Sequence, residues 1–284
     1  MEVKLFSIEL YMKQEPNNRL IKQTCIVTGA SSGIGSAVAI AMAAEGANVV
    51  INYHSDKEGA EKTASTIDKL SNAGSTIIVQ ADVSKEKDVE RLFKKAKTQF
   101  GTIDIFVANA GIQIDAPIHE MKLEDWEKVL SVNLTSHFLC AKLALNTFME
   151  QGVRTDVSRS AGKFIHMSSV HEVIPWSGHA NYAASKGGMA MLMQSICQGY
   201  AKYKIRCNSI APGAIKTDIN KEVWQDEEKL KSLHKLIPYE EMGVPEHIGN
   251  VASWLASDAS EYINGTTIFV DGGMTCYPGF SMNG

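Results

Sequence analysis

From about residue 22 onward, short and nearly continuous apolar runs alternate with longer stretches in which apolar residues recur every three or four positions. Seven of the short runs read as strands: Cys25–Thr28, Asn48–Asn52, Ile77–Ala81, Ile103–Ala108, Phe164–Met167, Ile205–Ile210 and Thr267–Val270. They lack polar alternation, as parallel strands covered on both faces do. The longer stretches read as helices. One is Ala-rich, over Gly35–Ala44, and one places Val89, Leu92, Phe93, Ala96 and Phe100 on a single face. A third runs from Leu123 to Met149 and a fourth from Asn181 to Lys202. Strand–helix–strand alternation with right-handed crossovers gives an α/β fold: a doubly wound parallel sheet with helices on both faces.

Two segments break this rhythm. Gln151–Gly162 is polar and reads as an exposed loop. Lys216–Gly243 is charged and helical in pattern. It follows the sixth strand, which places it over the crevice at the carboxyl ends of the strands, as a lid over 216–243. No linker divides residues 22–284, so they are expected to form one domain, preceded by an N-terminal arm over residues 1–21.

Composition narrows the functional classes. The 284 residues are 44% hydrophobic and 21% charged, with a formal net charge of -4. That balance argues against a nucleic-acid or anionic-membrane binder, which would carry a basic stripe. No apolar run reaches the roughly 18 residues of a membrane span, and the N-terminus lacks the apolar stretch of a secretion signal. Cys25, Cys140, Cys197, Cys207 and Cys276 form no CxxC pair and have no His at metal-ligand spacing. They read as reduced thiols in a cytoplasmic protein without a metal.

The first candidate chemistry is the turn after the first strand, Thr28-Gly29-Ala30-Ser31-Ser32-Gly33-Ile34-Gly35. Gly29 permits a tight turn, Gly33 lets the backbone approach a pyrophosphate, and Gly35 allows close helix–strand packing. The following helix presents free N–H groups and its positive dipole end to the phosphates. The second is the pair Tyr182 and Lys186, four residues apart on one helix face. An ammonium beside a phenol lowers its pKa and makes it a usable base. Ser169, just past the fifth strand, would hydrogen-bond a substrate oxygen and stabilise its developing charge. The third is Asn52-Tyr53-His54-Ser55 after the second strand. No acid stands there to meet a ribose hydroxyl pair, and Ser55 and His54 could bond a 2′-phosphate, so both NAD and NADP are expected to be accepted.

The spacing TGxxxGxG resembles the short-chain dehydrogenase/reductase family. So do Asp82-Val83, Asn109-Ala110-Gly111, Asn133, Ser169, Tyr182 with Lys186, Pro212-Gly213 and Asp271-Gly272-Gly273, across about Gln23 to Gly284. The resemblance implies a single-domain, seven-stranded Rossmann sheet binding NAD or NADP. It implies that Asp82 contacts the adenine amino group and Val83 flanks the ring; Ser84 is then the better helix N-cap. It implies that Asn109, Ala110 and Gly111 approach the nicotinamide ribose, which Lys186 also holds. Asn133 would organise a water relay behind Lys186. Pro212, Gly213, Ile215 and Thr217 would contact the nicotinamide and phosphates.

Finer strings, including Met167-Ser168-Ser169-Val170-His171-Glu172 and Tyr182-Ala183-Ala184-Ser185-Lys186, resemble bacterial glucose 1-dehydrogenases. That implies oxidation of β-D-glucose to D-glucono-1,5-lactone. A pyranose needs several converging donors and acceptors, and His171 and Gln113 are candidates for them, although the compared enzymes usually carry an acid near Gln113. His171 shares a side with Ser169 if strand geometry continues past the fifth strand. The alternatives are a 3-oxoacyl carrier-protein reductase or another alcohol/ketone oxidoreductase of the family, and, in a different class, a non-catalytic nucleotide-sensing protein on this fold. The family further implies a homotetramer. The apolar C-terminal residues Cys276, Tyr277, Pro278, Phe280 and Met282, and the methionines Met189, Met191 and Met193, are candidates for its interface.

Overall fold

The computed structural model describes residues 18–276. Seven strands, β1 (Thr24–Val27), β2 (Asn48–Tyr53), β3 (Thr76–Gln80), β4 (Ile105–Ala108), β5 (Gly162–Met167), β6 (Ile205–Pro212) and β7 (Thr267–Val270), form one sheet in the order β3-β2-β1-β4-β5-β6-β7. Every neighbouring pair is parallel. The order reverses between β1 and β4, and in such sheets the crevice at the carboxyl ends of those two strands is where ligands bind.

Helices cover both faces. On one side α1 (Gly33–Ala44), α2 (Lys57–Ile67) and α9 (Pro245–Ala256) close over Val27, Ile51, Val107, Ile165 and Met167. On the other side α3 (Glu86–Phe100), α5 (Ser136–Gln151) and α6 (Ala180–Tyr200) close over Ile26, Val50, Phe106 and Phe164. Phe93, Phe106 and Phe164 stack at centroid separations of 5.3 and 5.2 Å and tie α3 to the centre of the sheet. No helix among the described residues is long and apolar enough to cross a membrane.

The stretch read as one helix from Leu123 to Met149 is interrupted. α4 (Leu123–Leu130) passes into a π turn, Ser131–Thr135, before α5 begins. The remaining helices lie in the segment expected as a lid: α7 (Lys221–Trp224) and α8 (Glu227–His234), with no residue of either buried. Asp226 caps α8 by accepting from the Glu228 and Lys229 amides.

The polar segment 151–162 is the exposed loop that its composition suggests only at Val153, Thr155, Asp156 and Arg159, and is tied down elsewhere. Ser158, Ser160 and Ala161 are buried. Lys163, at the start of β5, donates to Gln23 Oε1 at 2.7 Å and to Ser158 Oγ at 2.6 Å. Arg154 pairs with Asp104, Ser158 donates to Asp258, and Arg206 donates to Ser160 and to the Ser257 carbonyl. Charged residues that look like solvent-facing ones thus enclose each other at the amino ends of the strands, away from the crevice. Of residues 1–21, only 18–21 are described: Leu20 is fully buried in the core and Arg19 pairs with Glu45 at the end of α1.

Candidate active site

The glycine turn is braced from both neighbouring strands. Gly29 has φ +60 and Gly33 φ +52, the left-handed region that glycine adopts without strain. Asn109, just past β4, donates to the Thr28 and Gly29 carbonyls, and Thr28 Oγ1 accepts from the Asn109 and Ala110 amides. Asn52, from β2, accepts from the Gly29 amide. At Gly35 a Cβ would lie 2.2 Å from the Gly29 carbonyl oxygen and 2.5 Å from Asn109 Nδ2, so only glycine fits. Ser32 occupies the N-cap of α1 in extended conformation but makes no side-chain cap bond. The first amides of α1 therefore remain free for an anion, and Ser31, Ser32 and Ile34 complete the turn around them. A dinucleotide pyrophosphate fits this cradle.

Past β2, Tyr53 is buried while His54 and Ser55 are exposed. Asn52 is spent on the Val79 and Ala81 carbonyls. Asp56, the next acid, is committed as the N-cap of α2, where it accepts from the Gly59 amide at 2.9 Å. Past β3, Val83 is buried and Asp82 is partly exposed. Burial pushes the Asp82 carboxyl up, but hydrogen bonds from Ser84 and Lys85 outweigh this and hold it below its ordinary value. Ser84 turns its hydroxyl to Asp82 and does not cap α3, whose N-cap position is Lys85.

The candidate reacting groups converge at the end of β5. Lys186 Nζ sits 5.4 Å from the centroid of the Tyr182 ring and donates to the Met167 carbonyl at 2.8 Å. Burial pulls the Lys186 ammonium down to about 8, against the favourable charge of Glu172. Burial likewise raises the Tyr182 phenol above its ordinary value, and a hydrogen bond with Ser169 opposes that rise. Lys186 lies over the ring, so its charge and the enclosure act on the phenol in opposite directions. Ser169 Oγ accepts from the His171 amide at 3.2 Å. Asn133 is fully buried in the π turn, where it accepts from the Ile112 amide at 2.8 Å and donates to the Ile112 carbonyl at 2.9 Å and to Ser185 at 3.3 Å. A π turn at such a position aims one side chain out of the helical register.

His171 does not continue a strand. Val170–Glu172 is a 3₁₀ turn, and His171 Nδ1 bonds the Ile174 carbonyl. The turn still brings the ring to Tyr182, with centroids 6.3 Å apart. His171 stacks on Trp176 at 4.1 Å, and Trp176 stacks on His179 at 3.5 Å. This aromatic wall was not anticipated, because its rings are scattered through a loop without periodicity. His179 reaches Asp115 at 3.2 Å, and Asn181 donates to the Ile114 carbonyl, which joins the wall to segment 112–115. Gln113 lies in that segment, partly buried, with no hydrogen bond to Ser169 or Tyr182.

Pro212 ends β6 and Gly213 donates to the Val270 carbonyl. Ile215 is buried and bridges Gly243, closing the base of segment 216–243. Thr217 heads a short turn with Asn220, and its methyl would meet a Cβ on Gly33 at 3.4 Å. A cavity of about 310 Å³ opens beside the glycine turn, lined among others by Ser31, Ser32, Lys62, Thr63 and Asp218. Among the described residues, no group of three or more His, Cys, Asp or Glu is arranged to hold a metal ion.

Comparison with known proteins gives the family. The family profile described as enoyl-(acyl carrier protein) reductase matches residues 29–275. The chain is 46% identical over 258 residues to 3beta-hydroxysteroid dehydrogenase 1 of Eggerthella lenta, covering 91% of this chain and 95% of that one. It is 44% identical over 260 residues to glucose 1-dehydrogenase 2 of Bacillus subtilis, covering 91% and 97%. The crystal structure of levodione reductase superposes with a TM-score of 0.84 at 30% identity, covering 91% of this chain and all of that one. The chain belongs to the short-chain dehydrogenase/reductase family and is an NAD(P)-dependent oxidoreductase.

Proposed function

We propose that the enzyme oxidises the anomeric hydroxyl of an aldose, β-D-glucose foremost, to the 1,5-lactone. The observation that carries the reaction is the meeting of Tyr182, Lys186 and Ser169 at the end of β5, beside the braced glycine turn. Ser169 holds the substrate oxygen. Tyr182 takes the hydroxyl proton as the carbon gives up its hydride, and the Lys186 ammonium favours the phenolate at that moment. A nicotinamide bound along the cradle supplies the hydride acceptor. Asn133 fixes the Ile112 backbone behind Lys186 and so places the water relay.

A sugar suits the polar groups around Tyr182. With Nδ1 committed to Ile174, His171 presents Nε2 to a ring hydroxyl, and Gln113 can reach the same ring from segment 112–115. Exposed Val173 and Trp176 favour a second reading, a flat cyclic alcohol such as a hydroxysteroid, in line with the Eggerthella relative. NAD(P)H formation with β-D-glucose and with a 3β-hydroxysteroid, run side by side, decides between the two. A kcat/KM higher for the steroid than for any aldose overturns the sugar assignment.

Both NAD and NADP are expected to support turnover. The first acid after β2, Asp56, is locked on α2, and no arginine stands at 52–55. The ratio of kcat/KM between cofactors should stay under about 1000, equivalent to about 4 kcal/mol. A larger ratio would mean that His54 or Ser55 discriminates strongly.

Segment 216–243 acts as the lid, hinged where Ile215 bridges Gly243. The active form is a homotetramer in the cytoplasm. Leu123, Phe138 and Met191, on α4, α5 and α6, are exposed apolar groups of the kind that assembly covers, and Phe269 lies on the edge strand β7; Met189 and Met193, expected at the interface, are instead fully buried in the chain's own core, because they face the sheet. Of the C-terminal candidates, Tyr277, Pro278, Phe280 and Met282 lie outside the described residues. Light scattering at micromolar concentration should give four times the 31.0 kDa chain mass, and a fully active monomer would end the assignment.

A further inference from the structure

Beside Lys186 the core holds two histidines that the reaction above does not use. His137 follows Asn133 by one helical turn, and His166 precedes Met167 on β5; their exposures are 1% and 0%. Their Nδ1 atoms lie 2.9 Å apart, and the rings stack at 5.2 Å. A bond between two Nδ1 atoms needs one donor and one acceptor, so two neutral rings must hold opposite tautomers. The donor ring then has a bare Nε2 and the acceptor ring an Nε2–H. His166 Nε2 has no hydrogen-bond partner among the described residues, while the Ala110 backbone hydrogen-bonds the His137 ring. Ser209, the register partner of His166 on β6 and hence on the same face of the sheet, has an unpartnered Oγ as well. Unmet polar atoms in a closed core are costly, and a pair that serves packing alone would be better replaced by apolar side chains.

We propose that His137 and His166 are positioning residues for Lys186. They clamp the end of β5, whose Met167 carbonyl receives the ammonium, against the helix that carries Asn133, and they keep the surroundings of Lys186 polar without adding charge. The inference rests on the catalytic reading of Lys186 given above. Burial, reinforced by the charge of Lys186, holds both imidazoles far below their ordinary range, His166 at about 3, so neither becomes a competing cation. The groups that bear on the pair are Lys186 from α6, the Ala110 backbone past β4, which favours protonated His137, and Glu172, which acts through Lys186. A protonated ring here would repel the ammonium, and an apolar one would leave it drier. Both would lower the pKa of Lys186.

The test replaces each ring by one of similar shape without nitrogen, His166→Phe and His137→Phe. The double replacement, which leaves neither ring of the pair without the other, serves if a single variant does not fold. The Lys186 pKa is read by ¹⁵N NMR of the ammonium, NAD(P)H binding by fluorescence, and kcat/KM against pH with the substrate established for the wild type. The Lys186 pKa and the alkaline limb should both move down by about half a unit or more, and kcat should fall about tenfold. Cofactor affinity should stay within a few fold. His166→Gln, which restores a donor and an acceptor, should recover most of the loss. A folded Phe variant with unmoved Lys186 pKa and unchanged kcat overturns the proposal, whatever its thermal stability. The NMR readout needs no substrate, so failure of the sugar assignment is seen separately. Retained activity in Lys186→Met would instead refute the catalytic reading on which the pair depends.

Discussion

Tyr182→Phe is expected to lower turnover by about 10³-fold or more, roughly 4 kcal/mol of transition-state stabilisation. The ring of a phenylalanine occupies the same space, under Lys186 at 5.4 Å and edge-on to His171 and Trp176 at 6.3 Å. What disappears is the oxygen that bonds Ser169 and that, as the phenolate, would take the substrate proton in the proposed reaction. Ser169 is far weaker as a base and cannot substitute for it, and burial holds His171 below its ordinary value, which makes its Nε2 a weaker base than a free imidazole. Fluorescence titration should find NAD(P)H affinity changed by no more than a few fold, because the glycine turn is untouched. Near-normal turnover in this variant would remove Tyr182 from the chemistry.

Gly35→Ala is expected to cost at least tenfold in cofactor affinity, together with several degrees of thermal stability. The added methyl would stand 2.2 Å from the Gly29 carbonyl oxygen. That atom belongs to a backbone held by Asn52 and Asn109, so relief requires shifting the cradle itself. Overpacking of this kind costs about 1–3 kcal/mol, which in a chain of this size corresponds to about 2–4 °C per kcal/mol. Gly199→Ala is the matched control: it lies in α6 with nothing within 4 Å of its would-be Cβ, and it should be tolerated or slightly stabilising. Unchanged NAD(P)H binding in Gly35→Ala would argue against the turn as the pyrophosphate site.

The strands were legible because the central parallel strands are covered on both faces and are mostly apolar, and all seven runs lie within two residues of those observed. Helices were legible where a stripe repeats, as in α3. α2 was not, since it buries only Ala60, Thr63 and Ile67, too few to set a period. The glycine turn, Ser169, Tyr182 and Lys186 declare themselves by residue type and spacing. The Met167 carbonyl under Lys186 cannot, because any residue supplies a carbonyl and only the strand's position aims it. The His171 turn and the Trp176 stack were hidden for the same reason: their geometry comes from tertiary packing in a loop. Segment 151–162 misled by composition, since a polar sequence reads alike whether water or Lys163, Arg206 and Asp258 satisfy it.

The π turn at Ser131–Thr135 has a consequence for how the gene tolerates length changes. A π turn is an α-helix carrying one surplus residue, and the surplus is absorbed locally as a bulge. Loss of a single codon within it would restore an uninterrupted helix and leave α4 and α5 in their present orientations, so the frame of the protein would survive. What would go is the inward aim of Asn133 and with it the paired bonds to Ile112. Most one-residue deletions inside a helix rotate everything beyond them by about 100° and are purged as folding failures. If Asn133 acts as proposed, the surplus residue serves the site and not the scaffold, and descendants of this gene that keep the activity should keep it.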